Sequence, residues 1–306
     1  MDVVELHRRA TEDFVALVAA VNDDQWHAPT PCVGWDVRTL VNHVVGEERW
    51  AVPLLAGRTI ADVGTMLDGD LLGDEPASAA AHAARAAQIA VVEPVLLRST
   101  VQLSYGEEDA AEYINQLVAD HLIHGWDLAV AIGSDRRLDP QVVAAVADWF
   151  ADREELYRSS GAVGPRPAEA FGDPQDELLA AFGRDPRWTP EHTVVAEFGE
   201  AFGRRDVDAI MALMTDDCVF ESTGPAPDGE RFEGAYAVRE QWRKLFDQTA
   251  EAEFHTEESV VRGDRAVVRW RFTWRGPEGQ PGHVRGVDVI RLRGGKIAEK
   301  LSYVKG

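Results

Sequence analysis

The hydrophobic period of this chain changes once, and that change constrains the fold more than any single residue does. From Asp2 to about Leu156 the apolar side chains recur at helical spacing. Leu6, Phe14, Leu17, Val18 and Val21 keep one face of a first helix, which the Asn22-Asp23-Asp24 cluster should end. Trp35-Asp36 opens a second helix, with Asp36 as its N-cap and Leu40, Val41, Val44 and Val45 on its apolar face. An Ala-rich third helix is predicted over Ala77 to Leu97, a fourth over Glu108 to Ile132 with a stop at Gly133-Ser134-Asp135, and a fifth after Asp139-Pro140. The run Val101 to Tyr105 alternates, too little to predict a sheet. An antiparallel helix bundle is the expected architecture.

Five prolines and four glycines between Ser159 and Pro190 interrupt this pattern, apart from a short helical piece at Gln175 to Phe182. A linker at Gly183 to Thr189 divides the chain into domains 1–189 and 190–306. Beyond it lie two helices (Val194 to Arg204 and Val207 to Met214), a strand at Cys218 to Ser222 and a helix at Ala237 to Gln248. Three alternating runs follow, Ala252 to Arg262, Arg265 to Arg275 and His283 to Leu292. The Arg293-Gly294-Gly295 turn then leads into a last strand, Lys296 to Val304. Helices followed by a curved antiparallel sheet make an α+β domain with an internal hollow. The expected fold class is thus multidomain, all-α and then α+β.

Charge excludes one large class of partner. Of the net charge of −22, residues 190–306 contribute −4, from 17 Lys and Arg against 21 Asp and Glu, so the acidic excess sits on the first domain. Such a field repels phosphate backbones, and neither half carries a basic stripe, so no nucleic-acid partner is expected. No long apolar run reads as a membrane span, and the N-terminus lacks a signal-peptide pattern. These features predict a cytoplasmic protein with no membrane partner. Cys32 and Cys218, in different domains, read as reduced thiols.

The histidines carry the chemistry of the first domain. Asp120 and His124 are four residues apart on the fourth helix and share a face. His43 lies in the apolar stripe of the second helix, where an unpaired buried imidazole costs on the order of 1–3 kcal/mol. Two imidazoles and a carboxylate leave positions open for water or substrate on a divalent ion, zinc above all. His121 is the alternative to Asp120 as third donor. Trp126 and Asp127 read as packing and local hydrogen bonding, and Cys32 as a packing residue ahead of a helix N-terminus.

Two stretches, PTPCVGWDVRTLVNH from Pro29 to His43 and DHLIHGWDLA from Asp120 to Ala129, resemble the signatures of the mycothiol-dependent maleylpyruvate isomerase N-terminal family, within the DinB-like superfamily. The resemblance covers about the first 190 residues. It implies a four-helix bundle with a zinc-type metal on His43, Asp120 and His124, and a low-molecular-weight thiol, mycothiol, that adds to an unsaturated acid. The better-characterised isomerases of that family carry Glu at the carboxylate position, and Asp shortens the arm by one methylene. They also continue into a sterol-carrier-like domain, which this chain does not.

Residues 192–306 resemble instead the SnoaL-like or nuclear-transport-factor-two-like superfamily. The carrying residues are Phe198 to Asp208, Asp216 to Glu221, Phe232-Glu233-Gly234 and Val287 to Tyr303. That resemblance implies an α+β cone, a carboxylate acid/base at Asp288 and dimerisation through the outer sheet face. Trp270, Trp274, Phe220, Phe254 and Tyr303 either line an apolar cavity or form a filled core, in which Asp288 pairs with an arginine of a neighbouring strand such as Arg269 or Arg271. His255 and His283 read as surface residues. The leading expectation is a metal-dependent isomerase or transferase acting on a small organic acid or electrophile. Catalysis at Asp288 without metal and a non-enzymatic binding scaffold stand as the alternatives.

Overall fold

Aspartate caps begin four of the helices that precede Trp188. Asp2, Asp36, Asp139 and Asp173 each accept a backbone N–H of the first turn through the side chain, pairing a carboxylate with the positive end of the helix. The computed structural model describes residues 1–91, 98–167, 172–249, 252–275 and 280–305. These form two units, Met1–Trp188 and Thr189–Gly306.

The first unit contains α1 (Val3–Ala19), α2 (Val37–Leu55), α3 (Ile60–Val63), α4 (Pro76–Val91), β1 (Thr100–Leu103), β2 (Gly106–Asp109), α5 (Ala110–Ile132), α6 (Pro140–Phe150), α7 (Glu154–Ser159) and α8 (Pro174–Ala181). The long helices α1, α2, α4 and α5 pack on one another. Helix α5 is the central one: nearly every residue from Leu117 to Ala131 is buried, because α1 and α2 cover one side of it and α6 another. It ends where expected, at Gly133, whose positive φ of 71° suits glycine at a helix C-terminus.

Three details differ from the expectation. Helix α1 stops at Ala19, where the Ala20 N–H turns back to the carbonyls of Leu17 and Val18. The segment around Val101 does form a sheet, the antiparallel hairpin β1–β2, whose second strand Gly106–Asp109 is too polar to show an alternating signal. Strand β2 therefore takes Glu108, and α5 starts at Ala110. The end of the expected third helix, residues 92–97, lies outside the described residues.

The second unit contains α9 (Pro190–Gly203), α10 (Val207–Ala212), β3 (Met214–Glu221), β4 (Arg231–Glu233), α11 (Ala235–Gln248), β5 (Glu253–Arg262), β6 (Arg265–Arg275), β7 (Pro281–Arg293) and β8 (Lys296–Val304). The strands form one six-stranded sheet of order β4-β3-β8-β7-β6-β5, with β3 and β8 parallel and the other pairs antiparallel. Helix α9 packs on β5 and β8, and α11 packs on β3 and β4. The two-residue period of β7 turns Gly286, Asp288, Ile290 and Leu292 to the buried face, and that of β8 turns Lys300 and Ser302 the same way. A helical layer against a curved sheet makes the α+β cone.

Candidate metal centre

His43 and His124 reach the same carboxylate from two helices. His43 Nε2 on α2 lies 3.5 Å from Asp120 Oδ1, and His124 Nε2 on α5 lies 3.3 Å from that oxygen. The three donor atoms fall within 4.8 Å of one another, and the imidazole ring centroids are 5.1 Å apart. Asp120 Oδ2 is buried and has no hydrogen-bond partner. A buried carboxylate oxygen left without a donor is costly unless a cation meets it, so the donor set fits a divalent ion. Burial pushes the Asp120 carboxyl up, but the facing His124 and His43 outweigh it and hold the group well below the ordinary carboxylate range.

The orientation of His124 is fixed from behind. Its Nδ1–H donates to Asp127 Oδ2 at 3.0 Å, which turns Nε2 toward Asp120. Asp127 is fully buried and also receives Arg184, whose terminal nitrogen lies 2.8 Å from Oδ2. Cys32 joins this cluster: its thiol lies 3.2 Å from Asp127 Oδ2, and Arg184 donates to Sγ at 3.3 Å. Neither residue is only a packing or local hydrogen-bonding group, as the sequence alone had them. Trp35 covers both imidazoles, with ring centroids 4.9 Å from His43 and 5.8 Å from His124.

His121 lies elsewhere. Its Nδ1 donates to the Leu117 carbonyl at 2.7 Å, and Nε2 meets Glu48 Oε1 at 2.5 Å, beside His7 and Thr11 in the bundle interior. It therefore takes no part in the donor set.

A cavity of about 270 Å³ opens beside the donors. Tyr113, Trp149, Tyr157 and Phe182 supply aromatic wall, and Glu47 and Arg184 line it as well. Glu47 stands one turn beyond His43 on α2, and burial together with the charge of Asp120 raises its carboxyl. Its spacing from His43 was a readable signal that the sequence reading did not use. The Tyr113 hydroxyl is buried and without a partner.

In the second unit Asp288 lines a cavity of about 130 Å³. Its partner is a lysine rather than Arg269 or Arg271: Lys300 Nζ lies 2.9 Å from Oδ2, and the Ser302 hydroxyl donates to Oδ1 at 2.7 Å. Phe220, Phe254 and Trp270 line this cavity, whereas Trp274 and Tyr303 are exposed at the surface. His255 reaches the cavity rim while staying half-exposed, and His283 is exposed.

Comparison with known proteins agrees with this division. Residues 7–129 match the mycothiol maleylpyruvate isomerase N-terminal domain, and residues 195–300 match a SnoaL-like domain. The chain belongs to the mycothiol maleylpyruvate isomerase N-terminal domain family, joined in one polypeptide to a SnoaL-like domain. An uncharacterized protein of Mycobacterium tuberculosis, Rv0738, is 32% identical over 203 residues, an alignment covering 61% of this chain and 100% of that protein. Among solved structures, an NTF2-like protein of unknown function from Mesorhizobium loti shares 36% identity over 38% of this chain and 91% of its own, with a TM-score of 0.34. A putative polyketide cyclase from Sinorhizobium meliloti shares 25% over 36% of this chain and 93% of its own, with a TM-score of 0.31. No described helix is long and apolar enough to cross a membrane.

Proposed function

We propose that the chain is a metal-dependent enzyme of the maleylpyruvate isomerase type, in which His43, Asp120 and His124 hold a divalent ion, zinc by preference. A low-molecular-weight thiol such as mycothiol serves the isomerisation of, or transfer to, a small organic acid or electrophile. The observation that carries this reading is the convergence of two imidazole nitrogens on Asp120, whose second oxygen is buried without a partner. The bound ion would act as a Lewis acid that keeps a thiol in its nucleophilic thiolate form near neutral pH.

The remaining roles belong to side chains of this chain. Asp127 keeps the proton of His124 on Nδ1, so that Nε2 stays a donor atom. The Tyr113 hydroxyl, free of any internal partner, supplies a hydrogen bond to a substrate oxygen in the cavity. Glu47, on the same wall, takes up or returns a proton at its carboxylate as the thiol adds and leaves. Trp149, Tyr157 and Phe182 exclude water from the reacting atoms.

Metal content measured on protein purified without a His tag, and on His43→Ala and His124→Ala, tests the proposal. A bound divalent ion that both variants lose is the expected result, and unchanged stoichiometry in both ends the reading. Activity that survives chelation but disappears in Asp288→Asn would move catalysis to the second unit.

A further inference from the structure

The two helices that carry the metal donors are joined a second time, in the interior of the bundle. Glu48 leaves α2 five residues after His43, and His121 follows Asp120 directly on α5. Their side chains, 3% and 1% exposed, meet at 2.5 Å between Glu48 Oε1 and His121 Nε2. Among the described residues this is the only ion pair between α2 and α5 besides the contact of His43 with Asp120. Helix α1 backs it: the Thr11 hydroxyl donates to the same Glu48 oxygen at 3.3 Å, and the His7 ring stands edge-on to His121, with centroids 5.7 Å apart. The Leu117 carbonyl, 2.7 Å from His121 Nδ1, fixes the imidazole from its other side.

Stability is a poor explanation for this arrangement. Glu48 Oε2 is buried without a hydrogen-bond partner, and so are both ring nitrogens of His7. A buried ion pair loses the hydration of both charges, and apolar side chains of similar volume often serve a core as well or better. What such a pair can supply is register. An oriented polar contact is satisfied at one setting of two helices, whereas apolar packing tolerates several before it loses stability. Register is also what the metal centre demands. A tetrahedral ion with bonds of about 2.1 Å keeps its donors about 3.4 Å apart. His43 Nε2 already stands 3.5 Å from Asp120 Oδ1, across the contact of α2 with α5. A slip of about half an ångström between the helices would exceed the few tenths that metal bonds tolerate.

We infer that Glu48 and His121 are positioning residues of the metal centre: their buried pair sets the register of α2 on α5 and so keeps His43 within bonding distance of an ion on Asp120 and His124. The inference rests on the metal reading above and adds to it what holds three donors on two helices at their spacing. Neither residue lines the cavity beside the donors, so both act through the helices that bear them.

The full chain, Glu48→Gln, Glu48→Asp and the double variant Glu48→Met/His121→Leu are compared in three measurements. These are thermal unfolding of the metal-free protein, zinc affinity by chelator competition, and visible absorption of the cobalt(II) form, which reports coordination geometry. The double variant removes both charges together, so its unfolding midpoint should stay near the parent's or rise, while zinc affinity falls about tenfold or more and the cobalt bands change. Glu48→Gln keeps an oxygen for His121 and Thr11 and should retain parental zinc affinity and bands. Glu48→Asp keeps the charge but draws its oxygens back by one methylene, and should weaken zinc binding and alter the bands. A double variant that binds zinc as tightly as the parent, with the same bands, would overturn the inference. If that variant fails to fold, Glu48→Asp decides by the same criterion. A parent protein that binds no zinc would end the metal reading itself, a result distinct from a parent and a double variant that bind it equally well.

Discussion

Asp127 Oδ2 accepts the Nδ1–H of His124 at 3.0 Å, one turn further along the same helix, so α5 carries both a candidate metal donor and the group that aims it. Outer carboxylates of this kind hold the imidazole in one tautomer and typically contribute about 10–100-fold to metal affinity. Asp127→Asn removes the charge while keeping the shape. Zinc affinity, measured by chelator competition, should fall within that range while far-ultraviolet circular dichroism stays unchanged. An affinity equal to that of the parent protein would show that His124 is held by packing alone.

The buried His7 makes stability depend on pH. Burial holds its imidazole down at about 4 from an ordinary 6.5, against the opposing pull of Glu48 and with a smaller contribution in the same direction from His121. Between these two values the unfolded chain binds a proton that the folded chain does not. The stability in question is therefore present above about pH 6.5 and is lost as the pH falls toward 4, to an extent on the order of 3 kcal/mol. Urea unfolding from pH 7 to pH 4 should record this decline, and His7→Gln should flatten it.

Glu112 joins α5 to the helix that follows it. Both of its oxygens receive the Arg153 guanidinium, at 2.7 and 2.9 Å, and the Trp149 indole N–H reaches it at 3.0 Å. Glu112→Ala strands these donors, and thermal unfolding should report a loss of about 1–3 kcal/mol. A loss below 0.5 kcal/mol, the usual range for surface substitutions, would mean that the fork is solvated in solution.

Gly286 on β7 is required by close approach. A Cβ there would fall 2.3 Å from the Tyr303 carbonyl oxygen and 2.3 Å from the Trp270 ring. Since the carbonyl belongs to the backbone of the adjacent strand β8, it cannot swing aside. Gly286→Ala should destabilise the second unit by about 1–3 kcal/mol or more, as overpacking does, which urea or thermal unfolding of the full chain should record.

Much of the fold was legible because most of its elements announce themselves locally. Asp36 before Val37 and Asp139 before Pro140 are caps whose side chains act within one turn, and Gly133 ends α5 by its own backbone preference. The hairpin β1–β2 and the three-residue strand β4 were not legible. Gly106–Asp109 and Arg231–Glu233 are short and mostly polar, and what holds them is pairing with a neighbour rather than a pattern of their own.

The sequence by itself determined which side chains were available and how they are spaced within one element: Asp120 and His124 on one face of α5, Glu47 a turn from His43, Asp288 on the inner side of β7. Only the tertiary structure decided whether Asp120 or His121 faces His43, that Arg184 reaches Asp127 across 57 residues, and that Lys300 rather than an arginine meets Asp288. The reason is geometric. Helical and strand periods fix angles inside an element, whereas the rotation of one element against another is set by the sum of all the packing contacts between them.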